Sequence, residues 1–207
     1  LTEGTHALRA AQAWLDGCDP CAADLDADGA HRMARACIDT ARGDFAAVIA
    51  ALGPSPTPEA VTALPYLEAV CNETLRLYPI VPDLPRLLRK PLTVRGVAVP
   101  AGVAVGVAIT HVHRREDLYP EPMRFRPERF IERKYGPFEF VSFGGGARRC
   151  LGAAFALYEL KLVLAALLRE NYFALARDEV LVAERRGITL GPAKGVPMAW
   201  LGPREIA

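Results

Sequence analysis

Residues 143–152 read Phe143-Gly144-Gly145-Gly146-Ala147-Arg148-Arg149-Cys150-Leu151-Gly152, and the fold turns on them. Three consecutive glycines let the backbone bend where side chains would clash, and let a flat ligand approach closely. They deliver a single cysteine to the start of a helical pattern, with Leu157, Leu160, Leu164 and Leu167 spaced along one face. A helix start favours thiolate over thiol, because free amides and the positive dipole end stabilise the anion. Hydrogen bonds to such a sulfur then tune its electron donation. A lone cysteine is more often a buried apolar filler. The glycines would also suit a phosphate loop, but the Lys-Ser/Thr that such a loop needs does not follow.

Working outward, residues Leu67, Val70, Cys71, Thr74, Leu75 and Tyr78 recur at helical spacing, and Pro79 ends that helix. It carries Glu73-Thr74-Leu75-Arg76, whose charged ends share one face. Taken alone, that spacing describes an ordinary surface ion pair. Upstream, Gly53-Pro54-Ser55-Pro56-Thr57-Pro58 breaks the chain, and Thr57 is placed to cap a helix with Pro58 at its first position. Between Leu84 and Thr110 the pattern becomes strand-like, with Val97-Ala98-Val99 and Val103-Ala104-Val105 on either side of a Pro100-Ala101-Gly102 turn. A Pro-rich loop follows from Tyr119 to Phe130, and the last thirty or so residues read as short strands and turns. The fold class expected is mainly α with a small β-sheet, an α+β arrangement.

The chain has 207 residues, half of them apolar, and a formal net charge of +1. That suits a globular domain and gives no global attraction to nucleic acid or to an acidic membrane. Five cysteines, at 18, 21, 37, 71 and 150, and no signal peptide within Leu1–Trp14 suggest free thiols in a reducing cytoplasm. The longest apolar run, Gly96 to Val112, holds Pro100 and several glycines, so no membrane segment is expected.

With these pieces in hand, the chain resembles the cytochrome P450 family of heme-thiolate monooxygenases, bacterial-type, in its C-terminal heme-binding half. The family's heme loop, Phe-x-x-Gly-x-Arg/His-x-Cys-x-Gly, is matched at every specified position by residues 143–152. Glu73 and Arg76 match its Glu-x-x-Arg signature, and Pro127-Glu128-Arg129-Phe130 resembles its PERF-type motif. The resemblance implies Cys150 as axial ligand to the iron of heme b, with Phe143 packed near the sulfur. It implies Arg148 on one heme propionate, Arg86 on the other, and Gly146 and Gly152 giving close heme contact. It also implies a buried network of Glu73, Arg76 and Arg129 that locks the loop below the heme. For Arg86 a plain surface arginine is an equal alternative. His111-Val112-His113-Arg114 and Tyr119-Pro120-Glu121-Pro122 resemble another family run, where His113 reads as a loop-packing histidine rather than a metal ligand. Arg186-Gly187-Ile188-Thr189-Leu190-Gly191-Pro192 resembles the terminal hairpin on the substrate side.

The resemblance is close to continuous over 52–207 and fails over 1–51, which sets the expected domain division. The family's Ala/Gly-Gly-x-Asp/Glu-Thr proton-delivery motif should fall near Ala22–Ala27, where the chain reads Ala-Ala-Asp-Leu-Asp-Ala. No catalytic residue is therefore identified. Three readings of this stretch compete. One is a divergent helical segment. A second is a zinc site from Cys18, Cys21, His31 and Cys37. The third is a reading-frame disruption, since Met33-Ala34 must be encoded ATG-GCN and the next frame yields a tryptophan.

The function implied is insertion of one oxygen atom from O2 into a small organic substrate. Electrons would come from NAD(P)H through a ferredoxin or flavoprotein reductase, with Arg133, Lys134 and Arg149 as a docking face or merely a solvated loop. The alternatives are a non-catalytic or poorly folded fragment that at most binds heme, and a peroxygenase or isomerase of the same family.

Overall fold

The computed structural model describes residues 55–176 and 182–203. The readings placed on Cys18, Cys21, His31, Cys37, Ala22–Ala27 and Met33-Ala34 lie outside the described residues. The described chain forms five α-helices, one 3-10 turn and four two-stranded antiparallel sheets. This is the mixed α+β class expected.

Helix α1, Pro58–Thr62, starts as its sequence dictates. The Thr57 hydroxyl accepts a hydrogen bond from the Ala60 amide at 3.3 Å, and Pro58, which has no amide hydrogen to satisfy, fills the first position. Helix α2, Pro65–Leu77, opens on another proline and ends at Tyr78, before Pro79. Its expected apolar face is buried through Leu67, Val70, Cys71 and Leu75. The opposite side is buried as well, through Ala69, Glu73, Arg76 and Leu77. Among its residues only Pro65 and Glu68, in the first turn, are exposed, so the rest of the helix is a core element.

Helix α5, Ala153–Glu170, packs across α1 and α2. Its buried residues Ala153, Lys161 and Ala165, with half-buried Leu157, repeat at multiples of four and form one stripe. The core there joins Val61, Leu67, Val70, Cys71 and Ala165, ringed by Leu157, Leu160, Leu164 and Leu168. Leu167 corrects the expected leucine face, for it is 48 % exposed. The helix meets its neighbours along small residues and a lysine, and Leu167 lies off that stripe.

Strand β1, Asp83–Leu87, pairs with β4, Ala104–Ala108, and β2, Leu92–Val94, pairs with β3, Val97–Val99. The Pro100-Ala101-Gly102 turn therefore joins β3 to β4 without pairing them. The reason is local. Arg95 and Gly96 both have positive φ, 48° and 84°, the geometry of a two-residue hairpin turn, so β3 folds back on β2. Gly102, at φ 84°, then redirects the chain, and its amide donates to the Leu88 carbonyl at 2.8 Å. Helix α3, Ile109–His113, continues directly from β4, and α4, Arg129–Glu132, follows the Pro-rich loop. Strand β5, Asn171–Leu175, pairs with β8, Met198–Pro203. Strands β6, Ala183–Arg186, and β7, Thr189–Pro192, form a hairpin. No helix among the described residues is long and apolar enough to cross a membrane.

Candidate functional site

The glycine-rich turn and α5 together present Cys150. Gly144 and Gly146 adopt φ of 73° and 65°, a conformation that side chains disfavour, which is why this stretch needs glycine. A side chain on Gly144 would also meet Leu84 Cδ1 at 3.2 Å. Residues Gly146–Arg148 form a 3-10 turn, and the Cys150 amide closes the loop by donating to the Phe143 carbonyl at 2.9 Å. Cys150 is a free, exposed thiol three residues before Ala153, where α5 begins. The first amides of that helix have no intrahelical acceptor, so their partial positive charge favours an anion at this end. A Cβ built on Gly152 would lie 3.9 Å from the Cys150 sulfur, so glycine leaves the sulfur's flank open.

Strand β1 stands beside this loop. Leu84 touches the Gly144 position, and strand alternation puts Arg86 on the same face. The Arg86 guanidinium is exposed and donates to the Pro85 carbonyl at 2.9 Å. Arg148 is exposed on the 3-10 turn, while Phe143 is half-buried. The β6–β7 hairpin is tied to the start of β1 and to the segment before it: Arg185 donates to Asp83 at 2.8 Å, and the Leu190 amide donates to the Ile80 carbonyl at 2.7 Å.

Glu73, Arg76 and Arg129 come together with almost no exposure. Arg76 grips the Glu73 carboxylate with two bonds, Nε to Oε2 at 2.7 Å and Nη2 to Oε1 at 2.9 Å. Arg129 Nε reaches Oε1 at 3.1 Å. One carboxylate thus faces two guanidiniums, and backbone carbonyls satisfy the remaining donors. Arg76 donates to the His113 and Arg124 carbonyls; Arg129 donates to those of Pro120, Glu121 and Arg124. The Arg126 amide also donates to Glu73, at 2.8 Å, a partner that no sequence motif marked. The Arg76 guanidinium lies 5.0 Å over the ring of Tyr119, a cation–π contact.

A second link runs from α2 to the cysteine loop. The Ser142 hydroxyl donates to the Leu75 carbonyl at 3.0 Å. Buried His113 lies between the Arg76 carbonyl, 3.0 Å from its Nδ1, and the Val141 amide, 3.0 Å from its Nε2. Burial pushes its pKa down to about 4, so the ring is neutral at ordinary pH. Burial likewise raises the Tyr119 hydroxyl, which donates to the Glu139 carbonyl at 2.9 Å.

The residues proposed as a docking face differ in freedom. Arg133 is held by Glu139 at 2.5 Å and lies 4.8 Å over the Tyr135 ring, whereas Lys134 and Arg149 are exposed. Apolar Leu151 and Phe155, at 104 % and 68 % exposure, follow Cys150 along the chain. One soft sulfur donor, open glycine flanks, exposed apolar side chains and two exposed arginines suit a flat, metal-bearing macrocycle with carboxylate arms.

Comparison with known proteins bears on the family of the chain. A sequence model described as Cytochrome P450 matches residues 32–196. The chain is 44 % identical over 126 residues to Cytochrome P450 3A29 of Sus scrofa, covering 59 % of this chain and 25 % of that protein. It is 43 % identical over 130 residues to Putative cytochrome P450 137 of Mycobacterium tuberculosis, covering 63 % and 27 %. To Putative cytochrome P450 135B1 of Mycobacterium bovis it is 42 % identical over 142 residues, covering 69 % and 30 %. The matched region thus spans between 25 % and 30 % of the length of these three relatives.

Proposed function

The chain belongs to the cytochrome P450 family, and on that premise we propose that residues 52–207 supply the thiolate side of a heme-thiolate monooxygenase. Heme b, when bound, supplies the oxygen-activating chemistry that inserts one atom of O2 into a small organic substrate. Cys150 holds its iron and donates electron density through the sulfur. Arg148 and Arg86 bind the propionates by charge-assisted hydrogen bonds, and Gly152 leaves room against the sulfur. Phe143 and Gly146 line the loop. The Glu73–Arg76–Arg129 cluster fixes the backbone beneath that loop and takes no part in chemistry. Electrons come from NAD(P)H through a ferredoxin or flavoprotein reductase in the cytoplasm.

The observation that carries this reading is the placement of one exposed cysteine between a left-handed glycine turn and the start of a long helix. The test is spectroscopic. The reduced, carbon-monoxide-bound chain should show the red-shifted Soret band of thiolate ligation, and Cys150→Ala should abolish it. Retention of that band in the substituted chain would refute the assignment.

A second reading, heme binding without turnover, is favoured by the sequence Ala-Ala-Asp-Leu-Asp-Ala at Ala22–Ala27, which does not match the family's proton-delivery motif. Product formed per electron, measured against peroxide released, separates the two: the monooxygenase couples them tightly, and the heme binder yields peroxide.

A further inference from the structure

We propose that His113 is a positioning residue, a two-sided hydrogen-bonding joint that transmits the placement of α2 to the Cys150 loop. Both partners of its ring are main-chain groups with fixed roles. The Arg76 carbonyl can only accept, at 3.0 Å, and the Val141 amide can only donate, at 3.0 Å. A single ring form meets both demands, the neutral imidazole with its hydrogen on Nδ1. Beyond Val141 the path continues through the backbone. The Val141 carbonyl accepts from the Gly144 amide at 2.8 Å, and the Phe143 carbonyl accepts from the Cys150 amide at 2.9 Å. Arg76 and Cys150 are thereby joined through a histidine that touches neither the sulfur nor the propionate arginines.

The ring is held in place. It is fully buried, stacks on Phe140 at 5.5 Å, and meets the edge of Tyr119 at 6.0 Å. The ionisable groups around it are accounted for element by element. From α2, the Arg76 guanidinium donates to the His113 carbonyl at 2.7 Å, and Glu73 is already gripped by that guanidinium. From α4, Arg129 shares the same carboxylate. From the segment after α3, the Tyr119 hydroxyl is committed to the Glu139 carbonyl. The Glu139 carboxylate is turned to Arg133 and to the Gly136 amide. A proton added at Nε2 would therefore face the Val141 N–H, donor against donor. Burial, which lowers the histidine pKa to about 4, opposes the same event.

The test uses the full 207-residue chain and amide hydrogen exchange, which needs no heme. In His113→Asn the side-chain amide can occupy the Nδ1 side but does not reach Val141. In His113→Gln a longer amide can present its oxygen to Val141. The Asn variant should lose about tenfold in protection at the Val141 and Cys150 amides, the effect of one net hydrogen bond, while α2 amides keep theirs. The Gln variant should recover most of that protection. Equal loss in both variants, or no loss in either, would make His113 a space-filler and overturn the proposal. Should the Asn chain fail to fold, acid titration of the unsubstituted chain decides. Protection at Val141 should collapse below about pH 4 before α2 opens, and simultaneous loss would overturn the joint.

In heme-loaded chains the Asn variant should also carry a smaller share of the thiolate-type carbon-monoxide spectrum than the Gln variant. That arm alone rests on Cys150 as ligand, so failure of the ligand assignment and failure of the joint are separately visible.

Discussion

The ammonium of Lys161 lies 2.7 Å from the Glu68 carboxylate and joins α5 to α2 across 93 positions of sequence. The same group donates to the Thr62 carbonyl at the end of α1, at 3.0 Å. One cation therefore sets the mutual register of three helices from the middle of an apolar stripe. Glu68 is half-exposed, so water screens the pair, and its Coulombic worth is modest. Lys161→Met keeps the stem that fills the stripe and should change unfolding free energy by less than about 1.5 kcal/mol. Lys161→Ala, which leaves a gap, should cost about 2 kcal/mol or more. Denaturant titration of both variants checks this; a Met variant as damaged as the Ala variant would show that the charge, not the stem, matters.

Glu73→Ala leaves two buried guanidiniums facing each other with no carboxylate between them. A loss of about 3–5 kcal/mol is expected, enough to unfold a marginal domain. Thermal unfolding followed by circular dichroism reads the effect. A shift as small as that of a surface substitution would contradict the burial seen here.

His113 also predicts how stability depends on pH. Its folded pKa, about 4, lies below the unfolded value near 6.5, so the unfolded chain binds the extra proton in between. Stability from this group is complete above about pH 6.5 and declines as pH falls toward about 4, by roughly 3 kcal/mol in all. His113→Phe should lack that segment of the curve. An unchanged slope between pH 6.5 and 4 in the Phe variant would assign the acid sensitivity to other groups.

Arg86→Ala and Arg148→Ala should each weaken heme binding by about tenfold or more, the loss of one charge-assisted hydrogen bond. Both side chains are exposed, so thermal stability without heme should barely move. Heme titration by Soret absorbance distinguishes the two arginines. If Arg86→Ala binds heme as the parent does, Arg86 is a plain surface residue.

Legibility in the sequence followed the kind of partner each residue uses. The Cys150 loop was readable because its glycines serve backbone geometry that only glycine supplies cheaply. Thr57 and Pro58 were readable because capping is local. The Glu73–Arg76 spacing, by contrast, is the same for a surface pair and a buried one. Only the distant Arg129 and the carbonyls around it distinguish the two cases. His113 left no legible trace of its bridging, since both its partners are main-chain atoms that any residue could provide. Lys161 looks like a solvated lysine in a leucine-rich helix, and nothing in α5 announces that Glu68 and Thr62 await it. The strands on either side of Pro100-Ala101-Gly102 were legible, whereas the β2–β3 pairing rests on Arg95-Gly96, a quieter turn signal than a proline.

The segment from Pro120 to Arg126 lies at the surface, yet it is fastened from beneath. Arg129 holds the carbonyls of Pro120, Glu121 and Arg124; Arg76 shares the last of these, and Glu73 takes the Arg126 amide. Glu121 adopts φ 52°, an unusual conformation for a side-chain-bearing residue. Surface loops ordinarily absorb added residues with little penalty. Here one extra residue would carry carbonyls out of reach of two buried cations whose positions are fixed. In a scan of single-residue insertions along the chain, this loop should behave like the interior of a helix, with solvent on one side and no slack in its length.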